Sequence, residues 1–430
     1  MSKYYHVTTY GCQMNVHESE KLAGIMESYG YVSTEEIEKA DIVCFNTCCI
    51  RESAETHAYG NIGALKKLKK QKPSLIIAVG GCMTEQVGAK EKLLKTFPFV
   101  DIVFGANDPE ELGRQLSNKL KTNLIAENPY VRTGYPNAWI NIVYGCNNFC
   151  TYCIVPYVKG RERSRDLNEI ISEVDLCLSQ GYKEITFLGQ NVNSYCHEGK
   201  PYFPELLRII AQKHSGEKFR IRFMSNHPKD VNEELLKVMS EYPDLICPYV
   251  HLPLQSGSSD ILRKMNRKYT KEQYLDKVKT IRSIIPDCAI STDIIVGFPT
   301  ETEQDFQETL SVVEQARFSG AFTFVYSKRS GTIADKMEGQ IDKETKKDRI
   351  TRLVAYQNDL TREQTKSYKG KTIEILVEDY DKKRNLYMGR DVYNRMGYFA
   401  CEQDKIGEFV NIKINKVNGI SLFGELVDGE

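Results

Sequence analysis

Residues 144–157 read YGCNNFCTYCIVPY and place Cys146, Cys150 and Cys153 in a C-x3-C-x2-C pattern. Three thiolates this close in sequence face one point. A tetrahedral zinc or iron site takes four ligands, so three leave one position open. Gly145, Asn147 and Asn148 mark the segment as a loop rather than a run of core thiols. The loop closes the apolar stretch AWINIVYGC (138–146), which reads as a strand. Five more such stretches follow: KEITFLGQN (183–191), FRIRFMSNHP (219–228), ICPYVHLPLQ (246–255), CAISTDIIVGFP (288–299) and AFTFVYSKR (321–329). Helical patterns such as LNEIISEVDLCLSQG (167–181) separate them. Six β/α units predict a partial barrel of the TIM type, whose active sites sit at the carboxyl ends of the strands. The polar motifs lie at those ends: Gln190, Ser225, Gln255 and Ser256 follow strands, and Asp293 belongs to the fifth. They are candidates for cofactor or substrate contact, against the alternative of loops capped by their own side chains. His227 and His251 read as satisfied core-edge histidines.

Upstream, YYHVTTYGC (4–12), ADIVCFNTC (40–48) and LIIAVGGC (75–82) are β-rich runs, each stopping at a cysteine, and DIVFGAND (101–108) is a fourth. Strands alternating with helices predict a Rossmann-like parallel sheet, and such a sheet brings its carboxyl ends to one edge. Cys12, Cys48 and Cys82 thereby form a second candidate metal-ligating triple. Cys49 adjoins Cys48, and neighbours on an extended strand point to opposite faces, so only one of the two is expected to ligate. Cys44 lies inside its strand and reads as packing.

The stretch AENPYVRTGYPNA (126–138) reads as a linker. A charged helix over 343–370 leads out of the barrel, and from Lys371 short strands with turns predict a small all-β module able to fold on its own. The expected domains are 1–120, 132–362 and 366–430.

Charge excludes a global field: 58 basic residues match 58 acidic ones, so any nucleic-acid surface is local. Lys159, Arg161, Arg163 and Arg165 follow the cysteine loop and are candidate phosphate contacts, against the alternative of a solvated face. In the terminal module, Arg390 and Arg395 with Tyr393, Asn394 and Tyr398 form the expected contact patch, since aromatic and Arg surfaces suit unstacked bases. No apolar window approaches the ~18 residues of a spanning helix, and the first residues lack a signal-peptide core. A cytoplasmic location without membrane association is expected. Thirteen cysteines there are better read as thiols and metal ligands than as disulfides.

A three-cysteine loop at the end of the first barrel strand resembles the radical S-adenosylmethionine (SAM) superfamily. YGCQMN (10–15), NTCCIRE (46–52), VGGC (79–82), GCNNFCTYCIVPYVKGRERSR (145–165), LGQNVNSY (188–195), HLPLQSGS (251–258), DIIVGFPTET (293–302) and GRDVYNR (389–395) together resemble the methylthiotransferase family of that superfamily over nearly the whole chain. Within it the wording is nearest the branch that thiomethylates isopentenyl-adenosine beside the tRNA anticodon. The branches acting on threonylcarbamoyl-adenosine and on a ribosomal-protein aspartate are the alternatives. A non-enzymatic zinc or iron–sulfur RNA-binding protein is the rival of another class. The resemblance implies a 4Fe-4S cluster on Cys146, Cys150 and Cys153 with SAM on its open iron beside Tyr152. It further implies a second 4Fe-4S cluster on Cys12, Cys48 and Cys82, and a terminal TRAM barrel that grips RNA. The implied partners are tRNA, an electron donor such as flavodoxin or ferredoxin, and iron–sulfur assembly or repair proteins. Two departures stand out: Cys49 occupies a position where relatives commonly carry Ser or Ala, and DLNE (166–169) follows RERSR where Arg-Pro is frequent.

Overall fold

The computed structural model describes residues 2–49, 52–106, 108–122 and 130–427. It divides into two compact units. The first comprises residues 1–133, 144–147 and 153–162; the second comprises 134–143, 148–152 and 163–430.

In the first unit, β1 (Lys3–Thr9), β2 (Tyr31–Ser33), β3 (Ile42–Thr47), β4 (Ile76–Gly81) and β5 (Ile102–Val103) form one sheet in the order β2-β1-β3-β4-β5. All its pairings are parallel. The edge strand β2 is too short to show a period of its own and was not legible in the sequence. Helices α1 (Gln13–Ser28), α2 (Glu52–Gln71) and α3 (Ala89–Thr96) make the crossovers, and α4 (Glu110–Leu120) follows the last strand. β3 and β4 are buried along their whole length, as expected of strands covered on both faces. Because β1, β3 and β4 are adjacent, Cys12, Cys48 and Cys82 all follow neighbouring strand ends.

Part of the expected linker, 126–129, lies outside the described residues. The rest is fixed rather than loose. Tyr130 stacks on His17 at 4.8 Å. The Val131 amide donates to the Glu20 carbonyl, and Arg132 pairs with the buried Glu20 carboxylate at 2.9 Å. A buried carboxylate requires such a partner, and the polar residues of the stretch supply it.

The second unit holds six parallel strands: β6 (Asn137–Tyr144), β8 (Glu184–Gly189), β11 (Arg220–Phe223), β12 (Tyr249–His251), β13 (Ala289–Val296) and β14 (Gly320–Val325). β7 (Arg163–Ser164) flanks β6, and β9 (Cys196–His197) with β10 (Lys200–Pro201) makes a small hairpin. β6 pairs with β8 and β8 with β11; β12 pairs with β13 and β13 with β14. A parallel bridge from Ile221 to Ile246 joins the two sets into a partial (β/α)6 barrel. Its outer edge, β14, leaves Phe322 54 % exposed. Asp166, the departure after RERSR, caps the helix Leu167–Ser179 by accepting from the Asn168 and Glu169 amides, a structural role that Pro cannot fill.

β15 (Thr372–Asp381), β16 (Leu386–Arg390), β17 (Met396–Phe399), β18 (Phe409–Asn418) and β19 (Ser421–Val427) close into a barrel. This module belongs to the same compact unit as the (β/α)6 barrel. Two buried arginines of β11 seat it. Arg220 donates to the Arg390 carbonyl at 2.7 Å. Arg222 pairs with Glu184 at 2.7 Å and donates to the Val392 and Asp391 carbonyls. The sequence pattern RIRF hides this, because arginines on a strand read as solvent-facing. Arg222→Met strands a buried carboxylate and two carbonyls, and the expected cost is about 3–5 kcal/mol. A denaturation midpoint equal to that of the unsubstituted protein refutes the seat.

Candidate iron–sulfur and S-adenosylmethionine sites

The cysteine edge of the first unit is drawn together by glycine. Gly11 sits at φ +116°, and a Cβ there would lie 2.8 Å from the Cys48 Cβ and 3.0 Å from its Sγ. Gly81, at φ +98°, would meet the Thr47 carbonyl oxygen at 2.3 Å. Both positions require glycine, and both let a cysteine-bearing loop approach its neighbour. Cys12 is the N-cap of α1, where the aligned peptide dipoles favour an anion. Cys48 and Cys49 both lie beyond the end of β3 and both are buried. The strand alternation from which a single ligand of the pair was expected does not extend to them, since β3 ends at Thr47. The Cys49 thiol hydrogen-bonds to Cys82; this bond, opposed by burial and helped by the Lys159 ammonium, pulls the Cys82 thiol below its ordinary range. The same bond, with burial, pushes Cys49 up. Cys44 is fully buried within its strand, and burial raises its thiol to about 12, as befits packing. Among the described residues, no three His, Cys, Asp or Glu side chains already stand at metal-coordinating geometry. The donor set nevertheless suits a soft metal cluster: four thiols at one sheet edge beside a buried cation.

The C-x3-C-x2-C loop is shared between the two units. In the first, Gly145 at φ +73° lies against the Gly160 and Arg161 carbonyls, and the Cys146 amide donates to the Gly160 carbonyl at 3.2 Å. In the second, Asn266 donates to the Phe149 carbonyl at 2.9 Å and the Thr151 amide to the Met265 carbonyl at 3.1 Å. Tyr152 packs on Ile261, Met265, Phe298, Tyr326 and Ala334. Buried Arg267 donates to the Cys150 Sγ at 3.3 Å and stacks on Tyr269. Arg267 was missed in the sequence: it lies 117 positions from Cys150 and carries no motif.

The strand-end residues form a polar row. The Gln255 amide donates to the Asp293 carbonyl at 2.8 Å, with Gln255 itself at φ +70°. Ser256 is fully buried, and Ser225 sits at φ +67° beyond β11. Gln190 is half-buried just after β8. Asp293 faces His251 at 3.5 Å, whose other ring nitrogen meets Ser291 at 2.9 Å. Burial, then the nearby Arg267 and Lys229 charges, drives His227 down to about 2, so it is neutral and structural. Asn191 and Asn226 were quoted only as parts of motifs. Each now shows a buried side-chain carbonyl oxygen with no hydrogen-bond partner among the described residues. Buried acceptors left open at strand ends fit a polar ligand such as SAM.

The expected RNA contacts divide. Arg161 and Arg163 are exposed. Arg165 pairs with Glu173 at 2.7 Å and donates to the Asn141 carbonyl, so it serves the barrel. Lys159 is buried, 4 % exposed, and cannot lie on a solvated face. Arg390 pairs with Glu378. Arg395 pairs with Asp391 at 3.4 Å and stacks on Tyr368 and Tyr393. Beside them lies a cavity of about 450 Å³ lined by Tyr249, Phe322, Tyr393, Asn394, Met396 and Tyr398, among others.

A six-stranded barrel with this cysteine loop, preceded in the sequence by a thiol-edged parallel sheet and followed by a small closed β-barrel, defines a radical SAM enzyme. Family models agree: the radical SAM superfamily matches 140–313, the uncharacterized protein family UPF0004 matches 4–105, and the TRAM domain matches 366–427. The chain is 48 % identical to the tRNA-2-methylthio-N(6)-dimethylallyladenosine synthase of Clostridium perfringens, over 99 % of this chain and 98 % of that one. It is 48 % identical to the enzyme of that name from Clostridium botulinum, over 98 % and 96 %. The synthase of Caldicellulosiruptor saccharolyticus is 47 % identical over 99 % and 93 %. This chain belongs to the tRNA-2-methylthio-N(6)-dimethylallyladenosine synthase family. Among solved structures it is similar in fold to the radical SAM methyltransferase TsrM from Kitasatospora setae with cobalamin and a [4Fe-4S] cluster bound, at TM-score 0.58 and 13 % identity over 78 % of this chain and 77 % of that one.

Proposed function

We propose that this enzyme places a methylthio group on an adenine ring carbon of N6-dimethylallyladenosine in tRNA, next to the anticodon. The observation that carries the reading is the pairing of two cysteine triples, one at the edge of a parallel sheet and one on the first strand of a radical SAM barrel, in a chain alike to the named synthases from end to end. The chemistry requires both. An aromatic C–H is not acidic and has no leaving group, so proton transfer alone cannot exchange it for sulfur; a radical cofactor supplies that step.

Cys146, Cys150 and Cys153 would hold a 4Fe-4S cluster by three thiolates and leave one iron for SAM. That cluster with SAM supplies the electron and the deoxyadenosyl group for radical chemistry. The protein's own residues position and shield. Arg267 holds Cys150 and offsets its charge, and Tyr152 presents an aromatic wall. Asn191, Asn226, Gln190, Ser225, Gln255, Ser256 and Asp293 offer polar contacts to SAM or substrate. Cys12, Cys48 and Cys82 would hold a second cluster, which would supply the sulfur chemistry of the transfer. The cavity beside Phe322 and Tyr393, with exposed Arg161 and Arg163, supports an RNA substrate that offers unstacked bases and phosphates. A reduced flavodoxin- or ferredoxin-type protein would supply electrons, and iron–sulfur assembly proteins the clusters.

The test is mass spectrometry of tRNA nucleosides from a strain lacking this protein. The 2-methylthio nucleoside is expected to vanish while its dimethylallyl precursor accumulates. Unchanged methylthio nucleoside refutes the reading.

A further inference from the structure

Lys159 is the buried cation that neither the barrel nor an RNA surface explains. It follows the short helix Val155–Val158, six positions after Cys153, and this segment packs into the first unit. Val158 rests against Cys49 and Cys82. Lys159 itself lines a cavity of about 10 Å³, room for one water-sized group, with Asn15, Glu18, Asn46 and Gly81. Asn15, Asn46 and Gly81 stand within three positions of Cys12, Cys48 and Cys82 respectively. Through these residues the buried Lys159 adjoins the loops that carry all three cysteines of the candidate triple.

A lone ammonium is costly to bury; Glu18 in the same lining is one counter-charge, and the thiolates of a loaded site would add further negative charge that only Lys159 in this lining offsets. An oxidised 4Fe-4S core bound by three thiolates carries net negative charge, and taking up an electron adds to it. A fixed positive charge beside it stabilises both states, the reduced one more. Arg267 stands in the same relation to Cys150 in the second unit, so each cysteine site has its own buried cation.

We propose that Lys159 is the charge-compensating residue of the Cys12–Cys48–Cys82 site, and that it sets how firmly this site retains its cluster and at what potential the cluster is reduced. This rests on the two-cluster reading above. Lys159 acts through the cluster's surroundings and is a positioning residue.

The experiment uses full-length protein carrying Cys146→Ala, Cys150→Ala and Cys153→Ala, so that only the auxiliary site takes iron. Lysine, Lys159→Arg, Lys159→Gln and Lys159→Met forms are reconstituted anaerobically. Iron loss to a chelator is timed, and the reduced cluster's paramagnetic signal is titrated against potential. In the Met and Gln forms the expected result is several-fold faster iron loss and a midpoint shifted to more negative values. The Arg form is expected to keep most of both properties. Gln preserves polarity at similar length, so it remains readable where Met does not fold. Unchanged loss rate and midpoint in the Gln form overturn the proposal. An Arg form that behaves like Gln also overturns it, because the role is then one of shape. Absence of iron from the lysine form refutes the second cluster itself and the proposal with it, whereas iron that is bound but indifferent to residue 159 refutes the lysine's role alone.

Discussion

Replacing Cys146, Cys150 and Cys153 together with alanine is expected to abolish formation of 5′-deoxyadenosine from SAM and to halve the iron, from about eight to about four atoms per chain. These three thiolates would hold the cluster, and without them the barrel has no ligands for it. The loss is complete because no polar side chain of the barrel can make a carbon radical. The fold should persist, since the loop is also held by Asn266 on the Phe149 carbonyl and by the Gly160 carbonyl on the Cys146 amide. The measurements are iron analysis and chromatography of SAM products with dithionite as reductant. Deoxyadenosine from the triple variant at the rate of the unsubstituted enzyme removes the assignment of this loop.

The second large effect is expected from Cys12→Ala, Cys48→Ala and Cys82→Ala together. This variant should still cleave SAM to deoxyadenosine but yield no methylthiolated tRNA. The cysteines follow the ends of β1, β3 and β4 in the first unit, whereas the polar row belongs to the second, so the two functions separate. Normal methylthio product from the variant would sink the idea. Cys49→Ser discriminates within the CC pair. A serine hydroxyl can still donate to Cys82, so iron content and product are expected to stay near those of the unsubstituted enzyme. Loss of half the iron in Cys49→Ser, with retention in Cys48→Ser, transfers the ligand role from Cys48 to Cys49.

Much of this molecule was legible in one dimension. Continuous apolar runs broken by helical patterns specified a parallel sheet followed by six β/α units, and every named barrel strand formed. The reason is physical: a parallel strand buried on both faces must be continuously apolar, and such runs are visible without partners. The C-x3-C-x2-C loop was legible because its ligands are local. The placement of Cys12, Cys48 and Cys82 at one edge followed from topology, since adjacent parallel strands share a carboxyl edge.

What tertiary structure alone decided are the partners of buried charges. The strand pattern RIRF carries no sign that Arg220 and Arg222 seat the terminal barrel. Arg165 and Lys159 read as a basic run, yet one pairs with Glu173 and the other enters the cysteine site. Arg267 carries no motif but reaches Cys150. Local sequence records that a side chain is charged, not whether its counter-charge is solvent or a residue a hundred positions away, and burial makes that counter-charge obligatory.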